Sequence, residues 1–120
     1  MDNIEYVKFN EINPHDLLPL FNSPKIRTHL IEHALFTIET LTDWMNDKVQ
    51  VNAISGCKVR AIFCNTVLVG WCGIQFEDEK HEIAIIIDDK VWGLGKRVFK
   101  DIMAWAKEMG HEEVYIHFLH

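Results

Sequence analysis

The amino-acid sequence predicts an α+β domain with a mixed, mostly antiparallel sheet, flanking helices and a parallel strand-helix-strand crossover near the C-terminus. Two observations support this class. Residues 57–87 form three strand-length runs that short polar turns separate, which is typical of antiparallel hairpins. A further strand pattern follows residues 94–109, an amphipathic helix, and a helix between two neighbouring strands places those strands in parallel.

Composition and charge exclude several classes of protein. The 120 residues are 48% hydrophobic and 25% charged, so residues 1–120 are expected to form one globular domain with a single core. The net charge of −6 argues against a general nucleic-acid binder or an anionic-membrane binder. The N-terminus has no signal-peptide pattern and no apolar run is long enough to cross a membrane, so we expect a cytoplasmic location.

The N-terminal half begins with one strand and continues with short helices. The strand is predicted over Ile4–Asn10. Asn13 followed by Pro14 is typical of a helix start, because Asn caps and Pro suits the first helical position. The resulting helix is predicted over His15–Phe21, with Pro19 disturbing or ending it.

Two further helices are predicted before the hairpins. Ser23-Pro24 repeats the helix-start pattern and predicts a second short helix through Leu30. Thr40–Asp43 resembles a capping box, and the helix that follows it is expected to end near Asn52.

The three central strands are separated by two polar turns. Asn65-Thr66 predicts the first hairpin turn, and Val67–Phe76 is the return strand. Gly70 and Gly73 within that strand are expected to mark a bulge or a close approach of another backbone. Residues 77–80 are all charged and predict the second turn.

The segment from residue 82 to 110 organises the rest of the chain. Ile83–Ile87 is a short apolar run that predicts a strand covered on both faces. Gly93 and Gly95 then precede the helix, and Gly110 is expected to form its left-handed C-terminal cap. The helix has one apolar face, made by Leu94, Val98, Ile102, Trp105, Ala106 and Met109.

A glycine pair at a helix start is suited to binding an anion. Without a Cβ, a ligand can approach the backbone, whose first N–H groups are unpaired and lie at the positive end of the helix dipole. Lys96, Arg97 and Lys100 lie in the first turns, where cations oppose the dipole. A phosphate bound at the helix start would explain these three cations. The alternative is a tight turn beside a solvated basic face.

The sequence EIAIIIDDKVWGLGKRV resembles the cofactor motif of the GNAT acyltransferase superfamily, and most closely the branch that acetylates ribosomal-protein N-termini. A Glu-led strand, an Asp-containing turn and an aromatic-Gly-x-Gly occur in the same order. The family pattern, Gln/Arg-x-x-Gly-x-Gly/Ala, falls on residues 90–95, with Lys90 in place of Gln or Arg. The motif covers Glu82–Val98, and the resemblance extends more loosely from Ile4 to the end.

The resemblance implies a GNAT-like fold and N-acetyl transfer from acetyl-CoA to a primary amine of a small molecule or peptide, by direct attack on the thioester. It implies no metal and no covalent intermediate. The pyrophosphate would lie on backbone N–H groups of the glycine turn and the pantetheine on the free edge of the strand, with an N–H near Ile86 or Ile87 polarising the thioester carbonyl. The implied cofactor-binding residues are Ile85, Ile86, Ile87, Trp92, Gly93, Leu94, Gly95, Lys96 and Arg97.

Proton transfer requires a base, because an amine of this kind titrates near ~10 and is mostly protonated at neutral pH. Glu82, at the start of the cofactor strand, is the first candidate, since some relatives place a catalytic glutamate on this strand. His81 is a weaker candidate, because strand alternation directs it to the opposite face. Tyr115 is the candidate acid, in place of a tyrosine that family members carry in a later helix.

Other chemistries have less support. The cysteine count is odd, no C-x-x-C occurs, and the three thiols are expected to act as small apolar side chains. Of the C-terminal histidines, His117 and His120 would lie on opposite faces of a strand, so we expect no metal site. Two alternatives stay open: a non-catalytic acyl-CoA-binding or interaction protein with a degenerate GNAT fold, and a binder of another phosphorylated ligand.

The last predicted strand, Val114–Leu119, ends next to the final residue, whereas the GNAT pattern continues with another helix and two strands. The chain is therefore C-terminally short relative to that pattern. The apolar residues of the strand would have one face without its usual cover, and an uncovered edge favours pairing with another chain. We expect a homo-oligomer through the last strand; the alternative is a truncated form of a longer protein.

Overall fold

The computed structural model describes residues 3–24, 35–88 and 93–116. The elements in chain order are β1 (Ile4–Val7), a 3-10 turn (Phe9–Glu11), α1 (Pro14–Phe21), α2 (Ile38–Asn52), β2 (Lys58–Cys64), β3 (Val67–Glu77), β4 (Lys80–Ile87), α3 (Leu94–Glu108) and β5 (Tyr115–Ile116). Within these segments, the strands form one sheet in the order β1-β2-β3-β4-β5, antiparallel except for the parallel pair β4-β5. The predicted α+β class and its crossover are confirmed. No helix in the same segments is long and apolar enough to cross a membrane.

The two predicted hairpin turns are confirmed, and both are two-residue turns. Asn65 and Thr66 have φ of 51° and 70°, and Asp78 and Glu79 have φ of 51° and 62°. Positive φ at both central residues is the type I′ geometry, whose twist matches that of the flanking strands. The central three strands are therefore joined by tight turns that fix their register.

Two apolar clusters cover the two faces of the sheet. One lies between the sheet and α1 with α2, which we call the α1/α2 face, and includes Phe21, Leu41, Trp71 and Ile86. The other lies under α3, the α3 face, and includes Ile62, Cys72, Ile83, Leu94, Val98, Ile102 and Ala106. Strand β4 contributes alternate residues to both clusters, which confirms the prediction of a strand covered on both faces.

The N-terminal segment differs from its prediction at the end of its strand. Strand β1 ends at Val7, because the chain turns into the 3-10 turn that buries Phe9 against α2. Pro19 lies inside the first helix and does not end it, and the helix ends at Phe21 as predicted, with Leu17 and Phe21 fully buried. Most of the second short helix predicted after Ser23 lies outside the described residues.

Helix α2 begins three residues earlier than the sequence indicated. The capping box is formed by Thr37 and Thr40, so Thr40 is its third residue and not its cap. The Thr37 hydroxyl accepts from the Thr40 N–H at 3.1 Å, and the Thr40 hydroxyl accepts from the Thr37 N–H at 2.9 Å. The predicted end near Asn52 is confirmed, and the Asn52 Oδ1 accepts from the Val59 N–H at 3.1 Å, which joins the helix end to β2.

Helix α3 and its cap agree with the sequence pattern. Its buried residues are Leu94, Val98, Ile102 and Ala106. Gly110 has φ of 83°, and the N–H groups of Gly110 and His111 donate to the carbonyls of Lys107 and Ala106. These two bonds are the Schellman motif. The last strand is described at Tyr115–Ile116, and residues 117–120, part of its predicted length, lie outside the described residues.

Candidate functional site

Strand β4 is the element from which the candidate site is built, and two glycines of β3 set its position. A Cβ on Gly70 would lie 2.0 Å from the Ile86 carbonyl oxygen, so the two backbones approach more closely than any other residue allows. The register of β2 against β3 also shifts between Ile62 and Phe63, which bulges β3 beside Gly70. Gly73 is similarly close to the backbone of β2. The predicted bulge and close approach are both present.

The start of α3 is open to a ligand. Gly93 is its N-cap with φ of 84°, a conformation that glycine adopts without strain. No atom of the described residues lies within 4 Å of a Cβ built on Gly93 or on Gly95, so these residues leave the space over both glycines free. The first turn of the 15-residue helix contains no acidic residue, and Lys96 and Arg97 in it are exposed. Because the first N–H groups of a helix have no partner within the helix, this arrangement is suited to an anion.

The implied cofactor-binding residues fall into two groups that lie beside each other. Leu94 is buried in the same cluster to which Ile85 and Ile87 contribute, so the start of α3 packs against the end of β4. Ile86 points to the α1/α2 face. Because the Leu94 side chain is buried, only its backbone can contact a ligand. Trp92 lies outside the described residues.

The candidate base and the candidate acid are direct neighbours. Glu82 of β4 and Tyr115 of β5 are opposite residues in the parallel pair, and opposite residues direct their side chains to the same face. Glu82 is half-buried and also lies opposite Gln75 of β3. Tyr115 is exposed, and the Lys80 ammonium lies 4.8 Å from its ring centroid. The hydrogen bond to Glu113 and the charge of that carboxylate raise the pKa of Tyr115.

On the α1/α2 face beside Glu82 lies a group of side chains that the sequence patterns did not single out. The Lys48 ammonium donates to the Gln75 side-chain oxygen and lies 5.2 Å from the Trp44 ring centroid and 4.9 Å from that of Trp71. The two indoles contact each other edge to face at 5.3 Å. The one available signal was the four-residue spacing of Trp44 and Lys48, which places both on one side of α2.

His81 lies on the other face of β4 from Glu82. Its ring is 4.2 Å from the His111 ring and 4.9 Å from that of Phe76, centroid to centroid. His111 Nε2 is 2.8 Å from the Gly56 carbonyl oxygen. His81 therefore packs at the end of the sheet under α3 and is not grouped with Glu82 and Tyr115.

The thiols are poor nucleophiles in these positions. Cys57, Cys64 and Cys72 are reduced and buried, and burial raises the pKa values of Cys57 and Cys72. A raised thiol pKa lowers the thiolate fraction, which is the reactive form. No group of three or more candidate metal ligands occurs in residues 3–24, 35–88 and 93–116.

Comparison with solved structures identifies the architecture. The chain superposes on a predicted acetyltransferase from Clostridium acetobutylicum, solved with acetyl-CoA, with a TM-score of 0.67, 17% identity and coverage of 99% of this chain and 82% of that one. For spermidine N-acetyltransferase from Vibrio cholerae, solved with CoA and spermine, the TM-score is 0.68, the identity 13%, and the coverage 96% and 69%. For an acetyltransferase of the GNAT family from Streptococcus pneumoniae, the values are 0.60, 17%, 92% and 70%.

The chain has the fold of the GNAT acetyltransferases. No protein-family model and no curated protein sequence matches it, so this likeness is one of structure. In this chain, the GNAT fold brings the glycine turn, the end of β4 and the Glu82–Tyr115 pair onto three consecutive elements, β4, α3 and β5.

Proposed function

We propose that this chain is an acetyl-CoA-dependent N-acetyltransferase that acetylates a primary amine by direct attack on the thioester. The observation that carries the proposal is the open glycine turn at the start of α3, which packs against the end of β4 in a chain with a GNAT fold. Two structural neighbours were solved with acetyl-CoA or CoA, which supports acetyl-CoA as the acyl donor.

The residues of the turn fit the chemistry of the donor. Acetyl-CoA supplies an activated acetyl thioester when it is bound. The backbone N–H groups from Gly93 to Arg97 would hold its pyrophosphate, because the described residues leave the space over Gly93 and Gly95 free and the helix dipole favours an anion there. The Lys96 and Arg97 side chains would add positive potential. The edge of β4 at Ile85–Ile87 would bind the pantetheine arm through main-chain hydrogen bonds.

Glu82 and Tyr115 would move the protons. Glu82 accepts a proton from the ammonium of the acceptor, whose nitrogen then bonds to the acetyl carbon as the carbon–sulfur bond breaks. Tyr115 donates a proton to the departing sulfur and is reprotonated by the second proton that the nitrogen loses as the amide forms. The products are an N-acetylated amine, free CoA thiol and the proton that Glu82 releases.

The acceptor would be a small-molecule or peptide amine. The Vibrio neighbour is named for spermidine, and the cofactor motif resembles the branch that acetylates protein N-termini, so both kinds of amine belong in a test. The net charge of −6 is compatible with a cationic acceptor.

Two measurements on the purified chain test the proposal. Calorimetric titration with acetyl-CoA is expected to show binding, and a panel of polyamines, amino sugars and short peptides is expected to include amines that release free thiol from acetyl-CoA. Binding without thiol release from any amine favours the non-catalytic acyl-CoA-binding alternative. No binding of acetyl-CoA or CoA would contradict the proposal.

A further inference from the structure

Lys48 is a half-buried cation on the α1/α2 face of the sheet. Its ammonium contacts the Gln75 side-chain oxygen and the faces of Trp44 and Trp71. In the part of the chain that the structure describes, no carboxylate forms an ion pair with it. Burial lowers the pKa of Lys48, while the charges of Asp47 and Glu77 act in the opposite direction and favour the ammonium form. Among the described residues, its direct contacts are therefore a neutral amide and two indole faces.

The hydrogen bond to Gln75 places the Lys48 ammonium near β4. Gln75, Gly73 and Trp71 alternate on one face of β3, and Lys48 contacts the outer two of the three. Gly73 lies opposite Ala84 of β4, and the Val59 side chain of β2 covers Gly73. Gln75, which holds the ammonium, lies directly opposite Glu82. Lys48 and the candidate base are therefore both adjacent to the same side chain.

A second donor on this face, the indole N–H of Trp71, has no acceptor among the described residues. Trp71 is 4% exposed, and its indole Nε1–H is buried with no hydrogen-bond partner among the described residues. An unsatisfied buried donor is destabilising, so a ligand oxygen or an ordered water that reached it would be favourable. The ring that carries this N–H is the one that the Lys48 ammonium covers at 4.9 Å.

We propose that Lys48 is a specificity-determining residue that selects acceptor amines carrying an anionic group, a carboxylate or a phosphate, close to the amine. The inference rests on the proposed function, since it assumes that the amine reaches Glu82. The ammonium pairs with the anion while the amine lies at Glu82, and Gln75 holds the lysine between the two indoles. A lysine suits this role as a point charge that accepts either anion.

Matched pairs of amines test the proposal. Glucosamine 6-phosphate is compared with glucosamine, and β-alanine with its amide. The variants are Lys48→Met, which keeps an apolar stem over the indoles without the charge, and Lys48→Arg, which keeps the charge. Lys58→Met is the control, because the Lys58 ammonium also covers an indole, that of Trp105 at 4.4 Å, but on the α3 face.

The wild-type chain is expected to prefer the anionic member of at least one pair by tenfold or more in kcat/KM. Lys48→Met is expected to remove that preference through a rise in KM, with the neutral member unaffected, while Lys48→Arg and Lys58→Met keep the preference. Equal kcat/KM for both members of both pairs in the wild type would overturn the proposal. An equal loss for both members in Lys48→Met would also overturn it, because it would indicate a structural or proton-transfer role.

Calorimetry separates this proposal from the proposed function. Acetyl-CoA is titrated into each variant first, and the amine pairs are then titrated into the protein with and without CoA. If no amine is acetylated, tighter binding of the anionic member that Lys48→Met abolishes still supports the role of Lys48. If the anionic and neutral members bind alike, the role of Lys48 is wrong, whether or not acetyl-CoA binds.

Discussion

The proton-transfer roles depend on single side chains, and Glu82 is the most directly testable of them. Glu82→Gln keeps the size of the side chain and removes the base, so turnover is expected to fall roughly a hundredfold at neutral pH with acetyl-CoA affinity little changed. The loss is expected to shrink at high pH, where the amine deprotonates by itself. Thiol release measured across pH checks both statements, and Glu82 has no part in the mechanism if the variant is as fast as wild type at pH 7.

The environment of Tyr6 leads us to expect that the fold loses stability at alkaline pH. Its hydroxyl donates to the Asp101 carboxylate, and its ring contacts Trp105 at 4.8 Å, so it joins β1 to α3. Burial, with that hydrogen bond, raises the pKa of Tyr6. The folded chain therefore keeps a proton that the unfolded chain loses above about pH 10, and the free energy of unfolding should fall as pH rises past that value.

Denaturant unfolding of wild type and Tyr6→Phe between pH 8 and 11 measures this effect. The variant should show a smaller fall over that range, because Phe has no proton to lose. The lowered pKa of Lys48 makes the free energy of unfolding rise with pH, which is opposite to the effect of Tyr6. Because both proteins contain Lys48, its effect cancels in the difference between them. Parallel curves for the two proteins would show that Tyr6 does not cause the alkaline loss.

At the scale of elements, the close approach of Gly70 to β4 lets us predict how an alanine substitution there changes the free energy of unfolding. Gly95 provides the control. Gly70→Ala places a methyl group against the Ile86 carbonyl, which only a shift of the strands can relieve, so we expect a loss of about 1–3 kcal/mol or more in the free energy of unfolding. Gly95→Ala meets no atom of the described residues within 4 Å and favours the helix, so the free energy of unfolding should gain up to about 1 kcal/mol. Denaturant titration measures both, and equal effects would contradict the close approach.

Most elements could be predicted because their determinants are local. The Asn65-Thr66 turn, the cap at Gly110 and the period of α3 each depend on residues within a few positions of one another. The start of α2 was predicted three residues late, because Thr37 and Thr40 are both capable caps and only tertiary packing selects one. The grouping of Lys48 with Gln75 and Trp71 could not be predicted, because it joins a helix to a strand 27 residues further along the chain.

At the scale of the molecule, the exposed end of the sheet predicts self-association. Among the described residues, β5 is an edge strand, and its Tyr115 and Ile116 are 41% and 44% exposed. Apolar side chains on an open edge favour pairing with a second chain, so we expect a homodimer that covers β5. Light scattering over a range of concentrations should show it, and Ile116→Lys should shift the equilibrium to monomer. A wild-type monomer at every concentration would contradict the expectation.

The central claim is that the start of α3 binds acetyl-CoA, and calorimetric titration of glycine variants tests it most directly. Gly95→Asp folds without strain, since Asp is favourable in a first helical turn, but it blocks the backbone and repels phosphate. Gly93→Asp adds backbone strain, and Gly110→Asp is its control, because Gly110 has nearly the same φ at the other end of the same helix.

Wild type and Gly110→Asp are expected to bind acetyl-CoA with the same affinity, after correction for any loss of folded protein. Gly93→Asp and Gly95→Asp are expected to show no binding, or binding at least a hundredfold weaker. Binding of both variants as tight as that of wild type would contradict the account and would place the phosphate site elsewhere on the molecule.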